Sequence, residues 1–329
     1  MTKSKNSSFS LYIGLAFLMS ALMSPSCFGF QLKQESTEVE TESVHIPFNW
    51  KKGDVRRYRV TRSDKKDANS STATKSPYSD VRIEVTDVTE DEVLVTWRMA
   101  ATIVPDSKPN ELADQMNRIY DGLEIKAKIG TDGVYQGVTN WDEIDVAFQK
   151  SVKLIKGIVD SIELPEDQKQ KVWQSVLKRA GSRSVVESKM TEPLQLLVAL
   201  TNADYKSGEI EYYDSELPFN GKTLSAKESY EVAKIDKENQ LITVLWKRTV
   251  DPEKNQAVAE QAIIDIANEL GKPPPKPGFL DGFLHESKTT YVVKLDTGWP
   301  TTIKSESNVG TKGKNTIKTL LIEQLKADK

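Results

Sequence analysis

The residue types that most often carry out catalysis are scarce in this chain. Its 329 residues include two histidines, His45 and His285, and a single cysteine, Cys27. These cannot build a His- or Cys-rich zinc site, and no HExxH sequence occurs. A serine hydrolase would need one histidine as its base, but there is neither a GxSxG sequence nor a glycine run for an oxyanion hole. The sequence therefore offers no candidate catalytic or metal-binding residue.

Motifs for binding cofactors are also missing from the sequence. There is no Walker A sequence, no GxGxxG and no EF-hand loop, and the glycines at 130–133 (GTDG) suit a tight turn. Two carboxylates suffice for glycoside hydrolysis, and the 48 acidic residues leave that chemistry open. We expect no cofactor and no enzymatic activity, and keep a carboxylate-based hydrolase as the third functional hypothesis.

Aromatic side chains are the remaining candidates for a binding site. Trp97 and Trp246 each end a strand-like stretch and precede a basic residue. Phe279 and Phe283 belong to an apolar stretch (FLDGFL). A proline-rich stretch (GKPPPKPG) precedes it, and this composition suits a stiff connector or a ligand for a recognition domain. We interpret Trp97 and Trp246 as core residues at matching positions on the inner face of a sheet. Together with Phe279 and Phe283, they are also the candidates for residues that line a ligand site.

The two tryptophans lie in stretches that look like copies of one β-hairpin. In 81–99, apolar and polar residues alternate on both sides of an acidic turn, and 230–250 shows the same pattern. A helical stretch follows each hairpin, at 111–123 and at 253–270, and then a strand closed by a turn with glycine. Such self-similarity in a fixed order indicates an internal duplication, although β-meanders can also look alike by chance.

Residues 141–202 form the most helical part of the sequence. Apolar residues recur at steps of three and four from Trp141 to Ile162, which predicts a long helix. Two further helices are predicted at 166–180 and at 192–201, the last because Pro193 suits a first helical turn. The apolar stripe favours packing against a sheet, with a membrane-active face as the alternative.

A strand is predicted near residues 50–61, and it is rich in arginine. Arg56, Arg57 and Arg59 lie within it, and Arg62 follows directly. Charges of this kind are typical of an exposed edge strand, which they protect from pairing with other chains. The alternative is a basic rim that binds a phosphate or a head group.

The first 29 residues have the three parts of a secretory signal peptide. Lys3 and Lys5 make a basic start, 11–23 is apolar, and small residues follow. An uncleaved anchor is the alternative, but the apolar part is short for a membrane span. Cys27 could be acylated as in bacterial lipoproteins, although the preceding Ser-Pro-Ser lacks the usual leucine. We predict export to the periplasm, the cell envelope or the exterior, with lipidation at Cys27 as a further possibility.

Composition describes an ordinary globular protein. Hydrophobic residues make up 38% of the chain and charged residues 28%, with the two signs interleaved. The net charge of −3 would become −5 on removal of Lys3 and Lys5 with the signal peptide. We therefore expect no nucleic-acid partner, and membrane contact only through the signal peptide or a lipid on Cys27.

Several short motifs resemble an uncharacterised family of secreted bacterial proteins and lipoproteins. They span most of residues 46–321 and comprise the two Trp-ended hairpins, Pro47-Phe48-Asn49 with Gly53-Asp54, Pro218-Phe219-Asn220-Gly221 and Asp296-Thr297-Gly298-Trp299-Pro300. An aromatic residue often seen after the Gly-Asp step is missing, since Val55 and Thr223 stand near those places. That family is similar in outline to the lipoprotein-carrier folds. The resemblance implies a curved antiparallel sheet around helices, able to hold a lipid or other apolar ligand, and no catalytic residue.

The predicted fold is α+β, with a mostly antiparallel curved sheet from two similar halves and a helical block packed on one face. The predicted segments are a signal peptide (1–29), a polar linker (30–45), a first β-rich half (46–140), the helical block (141–202) and a second β-rich half (203–329). The last three form one compact domain or two tightly packed halves.

The leading hypothesis for function is a non-catalytic extracytoplasmic protein that binds an apolar or amphipathic ligand, such as a lipid, between sheet and helices. The alternative is a structural or interaction protein of the cell envelope that has no ligand.

Overall fold

The computed structural model describes residues 42–66, 76–105, 111–180, 182–219, 221–269, 273–276, 278–311 and 314–326. The strands are β1 (Ser43–Ile46), β2 (Val55–Lys66), β3 (Tyr78–Val88), β4 (Glu92–Met99), β5 (Glu124–Gly130), β6 (Tyr135–Val138), β7 (Ala203–Lys206), β8 (Ile210–Phe219), β9 (Lys222–Asp236), β10 (Leu241–Val250), β11 (Leu284–Lys294), β12 (Pro300–Thr311) and β13 (Lys314–Gln324). The helices are α1 (Glu111–Tyr120), α2 (Trp141–Ser161), α3 (Glu166–Ala180), α4 (Arg183–Val198) and α5 (Pro252–Glu269). The predicted signal peptide and Cys27 lie outside the described residues, whereas the end of the predicted linker forms β1.

Eleven strands form one antiparallel sheet, in the order β6-β5-β4-β3-β2-β13-β12-β11-β10-β9-β8. The sheet is curved but does not close into a barrel. Strands β1 and β7 pair with each other in a separate two-stranded ribbon. The predicted fold class, α+β with a large curved antiparallel sheet and helices, is confirmed.

The two halves of the sheet repeat one order of elements. The first half runs β2-β3-β4-α1-β5-β6 and the second β8-β9-β10-α5-β11-β12, both in the same direction across the sheet. Strand β13 joins them by pairing with β12 and β2. The two predicted hairpins, β3-β4 and β9-β10, therefore occupy equivalent places. The two Pro-Phe segments do not, since Pro47 precedes β2 whereas Pro218 lies inside β8.

The inner face of the sheet, defined here as the face that the helices cover, carries the main hydrophobic core. Alternate residues of β3 and β4, such as Ile83, Val95 and Trp97, point to this face and are almost completely buried. They pack with Leu194 and Leu197 of α4. The predicted long helix, α2, contributes Ile144 and part of Trp141 to this core, so the beginning of its apolar stripe packs there.

The third helix of the block begins earlier than the sequence analysis predicts. It starts at Arg183, where the hydroxyl of Ser182 accepts a hydrogen bond from the amide of Val185 (3.3 Å). Pro193 lies inside the helix and is buried, rather than in its first turn. Because this part of α4 is covered by the core, burial of Leu194 and Leu197 outweighs the cost of an internal proline.

Strand β2 is not the edge strand that its arginines suggested. It lies inside the sheet between β13 and β3. Its outward side chains form ion pairs across the sheet surface: Arg59 donates two hydrogen bonds to the carboxylate of Asp80 (2.8 and 2.9 Å). The edge interpretation was wrong because Arg59 lies on the solvated outer face of a central strand, whereas Arg62 faces inward and pairs with Glu192 of α4.

The chain segment before β2 packs against the turn between β11 and β12 and is hydrogen-bonded to it. The rings of Trp50 and Trp299 stack, with centroids 3.6 Å apart, and the amide of Asn49 donates to the carbonyl of Thr297 (3.4 Å). Gly298 has a φ of 74°, and a Cβ added there would overlap the carbonyl oxygen of Pro47. Glycine is therefore required here both for the backbone conformation and for the close approach.

We expect Gly298→Ala to lower the free energy of unfolding by about 3 kcal/mol or more, because the methyl group adds a clash with Pro47 to the strain of a positive φ. Gly208→Ala is the matched control: its φ is 79° and a Cβ there would meet open space, so we expect a loss of about 1 kcal/mol. Urea denaturation of both variants measures the difference. Equal losses would contradict the required close approach.

Candidate functional site

The side chains on the inner face of the sheet differ in polarity and burial between its two halves. In the first half, its side chains are apolar and buried, and α2 and α4 cover them. At the far end of the second half, α5 covers β8 and β9, where Asn255 exchanges hydrogen bonds with the backbone of Ser225 (2.8 and 2.9 Å). Between these covered parts, one portion of the inner face of β11 to β13 is polar and only half-buried, whereas the remainder, with Tyr291, Ile303 and Ile322, belongs to the buried main core.

We call this surface the polar trough, and define it by Ser287, Ser305, Ser307, Thr316 and Lys318. Strand register brings these side chains together, since Ser287 pairs with Ser307 and Ser307 with Lys318 on adjacent strands. The hydroxyl of Ser305 accepts a hydrogen bond from Thr289 (2.9 Å). All five trough side chains remain accessible to solvent in part. The trough is therefore a polar, partly open surface inside an otherwise packed concavity.

One side of the trough carries cations from β2 and α4. Arg62 of β2 forms an ion pair with Glu192 of α4 (3.1 Å). Burial lowers the pKa of Lys189 on α4 to about 8; the charge of Glu192 opposes this shift, and the charges of Lys318 and Arg62 add to it. Burial also lowers the pKa of Lys318. In the part of the chain that the structure describes, Lys189 has no ion pair within 4.0 Å.

The other side of the trough is bounded by a buried charged network. Arg248 donates to the carboxylate of Glu228 (2.7 Å), and both side chains are less than a tenth exposed. The indole nitrogen of Trp246 donates to the same carboxylate (2.9 Å). Glu228 is thus satisfied by a guanidinium and an indole, which is the condition for keeping a carboxylate in the interior.

His285 lies beside this network at the start of β11. It is 5% exposed, and its Nδ1 has no hydrogen-bond partner among the described residues. Burial, with smaller contributions from Arg248 and Lys318, lowers the pKa of His285 to about 4. The ring is therefore neutral at pH 7 and can donate or accept one hydrogen bond at Nδ1, depending on its tautomer.

A cleft separates the helical block from the second half. It has a volume of about 840 Å³ and lies between α3, with Gln170, Gln174 and Leu177 in its wall, and Glu269 at the end of α5. A smaller cavity of about 200 Å³ lies between the end of β4 and α1, beside Met116 and Tyr120.

The structure does not gather the four predicted ligand-lining aromatics at one place. Trp97 is 0% exposed and belongs to the main core together with Trp246. Phe279 and Phe283 pack in a second cluster with α5 and β8, where Phe283 meets Phe219 at 5.9 Å. Neither cavity described above has one of them in its wall. Their role as ligand-lining residues stays a prediction.

The trough was not predicted, although the sequence carries a signal for it. In β11, β12 and β13 the regular apolar positions stop midway, and both faces become polar at 285–290, 304–308 and 314–319. A strand with two polar faces has an inner face that no helix covers completely. The other predicted histidine, His45, lies on β1, where it contacts Asp204 at the surface (3.0 Å).

Two searches of the described residues gave negative results. No group of three or more His, Cys, Asp or Glu side chains lies close enough to hold a metal ion. None of the five helices is both long and apolar enough for a membrane crossing.

Comparison with known proteins gave little. No family model matches the chain, and no curated protein matches it. Among solved structures, one of lipovitellin, described as showing lipid–protein interactions, has a TM-score of 0.39 and 7% sequence identity. The match covers 84% of this chain and 25% of that chain, so this chain spans about a quarter of that neighbour's length. This similarity is too weak to support a conclusion, and the resemblance to secreted bacterial proteins stays a prediction.

We expect stability to fall between pH 7 and pH 5 because of His285. Its pKa is about 4 in the folded protein and about 6.5 when unfolded, so the unfolded state binds more protons in this window. The free energy of unfolding should be about 2 kcal/mol lower at pH 5 than at pH 7, and this loss should disappear above pH 6.5. Urea denaturation at both pH values should show that His285→Gln removes this loss, whereas His45→Gln retains it. Equal pH dependence in wild type and His285→Gln would contradict the assignment.

Proposed function

We propose that this chain is a non-catalytic binding protein that holds a small amphipathic ligand in the concavity between sheet and helices. The observation that carries the proposal is the polar trough, a partly open surface between two covered parts of the inner face. An ordinary packed sheet covers its inner face with apolar contacts throughout. A surface left open inside a concavity, with polar groups at fixed positions, is typical of ligand sites.

The surroundings of the trough suit a ligand with both polar and apolar parts. Val309 and Leu320 lie on the same face as the trough serines, in strands β12 and β13. The hydroxyls and cations of the trough supply polar contacts a few residues away.

A non-catalytic role fits the chemistry of the trough better than hydrolysis does. A carboxylate-based hydrolase needs two carboxyl groups facing one substrate bond. Among the described residues, three acidic side chains flank the trough: Glu192 and Glu228 are each engaged by an arginine, and Asp64 pairs across the strands with Lys318, on which its charge acts. His285 has no carboxylate at its Nδ1 among the described residues, and its lowered pKa makes it a weak base.

A matched pair of substitutions on β13 tests the proposed location. Thr316 faces the trough and Thr319 faces the outer surface, and both are half-buried. We expect Thr316→Trp to weaken binding of oleate or oleyl alcohol by about tenfold or more, because the indole fills ligand space. Thr319→Trp should bind like wild type. Tryptophan fluorescence or native mass spectrometry measures binding to the purified chain.

Two outcomes would overturn the proposed function. In one, wild type binds none of the four amphiphiles oleate, oleyl alcohol, 1-oleoyl-lysophosphatidate and 1-oleoylglycerol. In the other, both tryptophan variants bind the amphiphiles as tightly as wild type does.

We also propose that the chain is exported and that residues 1–29 are removed. The support is the basic, apolar and small-residue order of that stretch. Intact-mass measurement of the protein purified from membranes should give the mass of the chain without residues 1–29. A chain cleaved directly before Cys27 and carrying an added acyl mass would instead show that Cys27 is lipidated. The mass of the full 329-residue chain would contradict export by cleavage.

A further inference from the structure

The charges around the polar trough do not balance within the trough. Arg62 is paired with Glu192, and Arg248 with Glu228. Lys189 and Lys318 add two further positive charges, and the carboxylates of Asp64 and Glu192 act on Lys318. Among the described residues, four cations therefore face three carboxylates around the trough. A half-open concavity with more cations than carboxylates attracts anions, and its low dielectric strengthens that attraction.

We propose that the polar trough holds the anionic head group of the amphipathic ligand, with Lys189 and Lys318 as its cationic contacts and the His285 Nδ1 as a further hydrogen-bond donor. The inference rests on the proposed function and names the class of ligand. The head group is a carboxylate or a phosphate, since both present anionic oxygens to ammonium groups.

The position of Lys189 supports this role. It projects from α4 on the same side as Glu192, three residues later, which reaches β2 through Arg62. The field of Lys318 and Arg62 acts on it, so three cations from three elements lie within electrostatic reach of one another. Keeping like charges together in the interior costs free energy, and a bound anion would offset that cost.

His285 gives an independent observation at the same place. A buried polar atom almost always has a hydrogen-bond partner, yet the Nδ1 of this 5% exposed ring has none among the described residues. Arg248 and Lys318 both act on the ring through their charges. A neutral imidazole between two cations is well placed to donate to an anionic oxygen, which those cations would hold nearby.

The ligand class can be tested with two pairs of amphiphiles that differ only in the head group. Oleate is compared with oleyl alcohol, and 1-oleoyl-lysophosphatidate with 1-oleoylglycerol. We expect wild type to prefer the anionic member of at least one pair by about tenfold. Preference for oleate over oleyl alcohol identifies a carboxylate as the head group, and preference for 1-oleoyl-lysophosphatidate over 1-oleoylglycerol identifies a phosphate.

Lys189→Met tests the residue assignment, with Lys288→Met as its control. Lys288 is exposed on the outer face of β11. We expect Lys189→Met to lose affinity for the anionic member far more than for the neutral one, and to melt no lower than wild type, because it removes a buried charge. Lys288→Met should keep the wild-type preference. A purely structural Lys189 would instead lower the melting temperature and weaken both members alike.

The outcomes separate the inference from the proposed function. If wild type binds neutral and anionic members equally, the head-group inference is overturned and amphiphile binding stands. If Lys189→Met keeps the anionic preference, the assignment of Lys189 is overturned. If wild type binds none of the four amphiphiles, both the proposed function and the inference fail.

Discussion

Covering the inner face of an eleven-stranded sheet is the constraint on which the rest of this structure depends. A curved antiparallel sheet can leave its outer face to water, but the apolar residues of its inner face must be buried. Helices α2 and α4 bury the first half, and α5 buries the far end of the second. Part of the inner face of β11 to β13 lies between these two covers, and in that part hydroxyls and charges replace apolar side chains.

The buried Glu228–Arg248 pair marks the boundary between the core and the polar trough. Its members approach to 2.7 Å, and Trp246 also donates to the carboxylate. Such a pair gives little net stability, because desolvation of both charges cancels most of their attraction. Its effect is to fix the positions of the side chains around it. Arg248 and its neighbour His285 are thereby held at the side of the trough that faces away from α4.

Parts of the fold follow from sequence pattern because they depend on local periodicity. Alternation of apolar and polar residues identified both hairpins, and steps of three and four identified α2 and α3. The same reasoning misplaced the start of α4, because the burial of Leu194 and Leu197 outweighs the breaking tendency of Pro193. It also assigned β2 to an edge, because charged residues look alike on an edge strand and on the outer face of a central one.

By itself, the sequence determined the element types, the α+β class and the scarcity of residues for catalysis or metal binding. These properties depend on residue identity and on spacing within single segments. Only the tertiary structure decided that Lys189, His285 and Lys318, which are far apart in the chain, surround one polar trough. Strand register and helix packing set that proximity, and both are long-range properties that no local pattern encodes. Packing also separated residues that the sequence had grouped: Trp97 and Phe283 were both candidates for one ligand site, but they are buried in separate hydrophobic clusters.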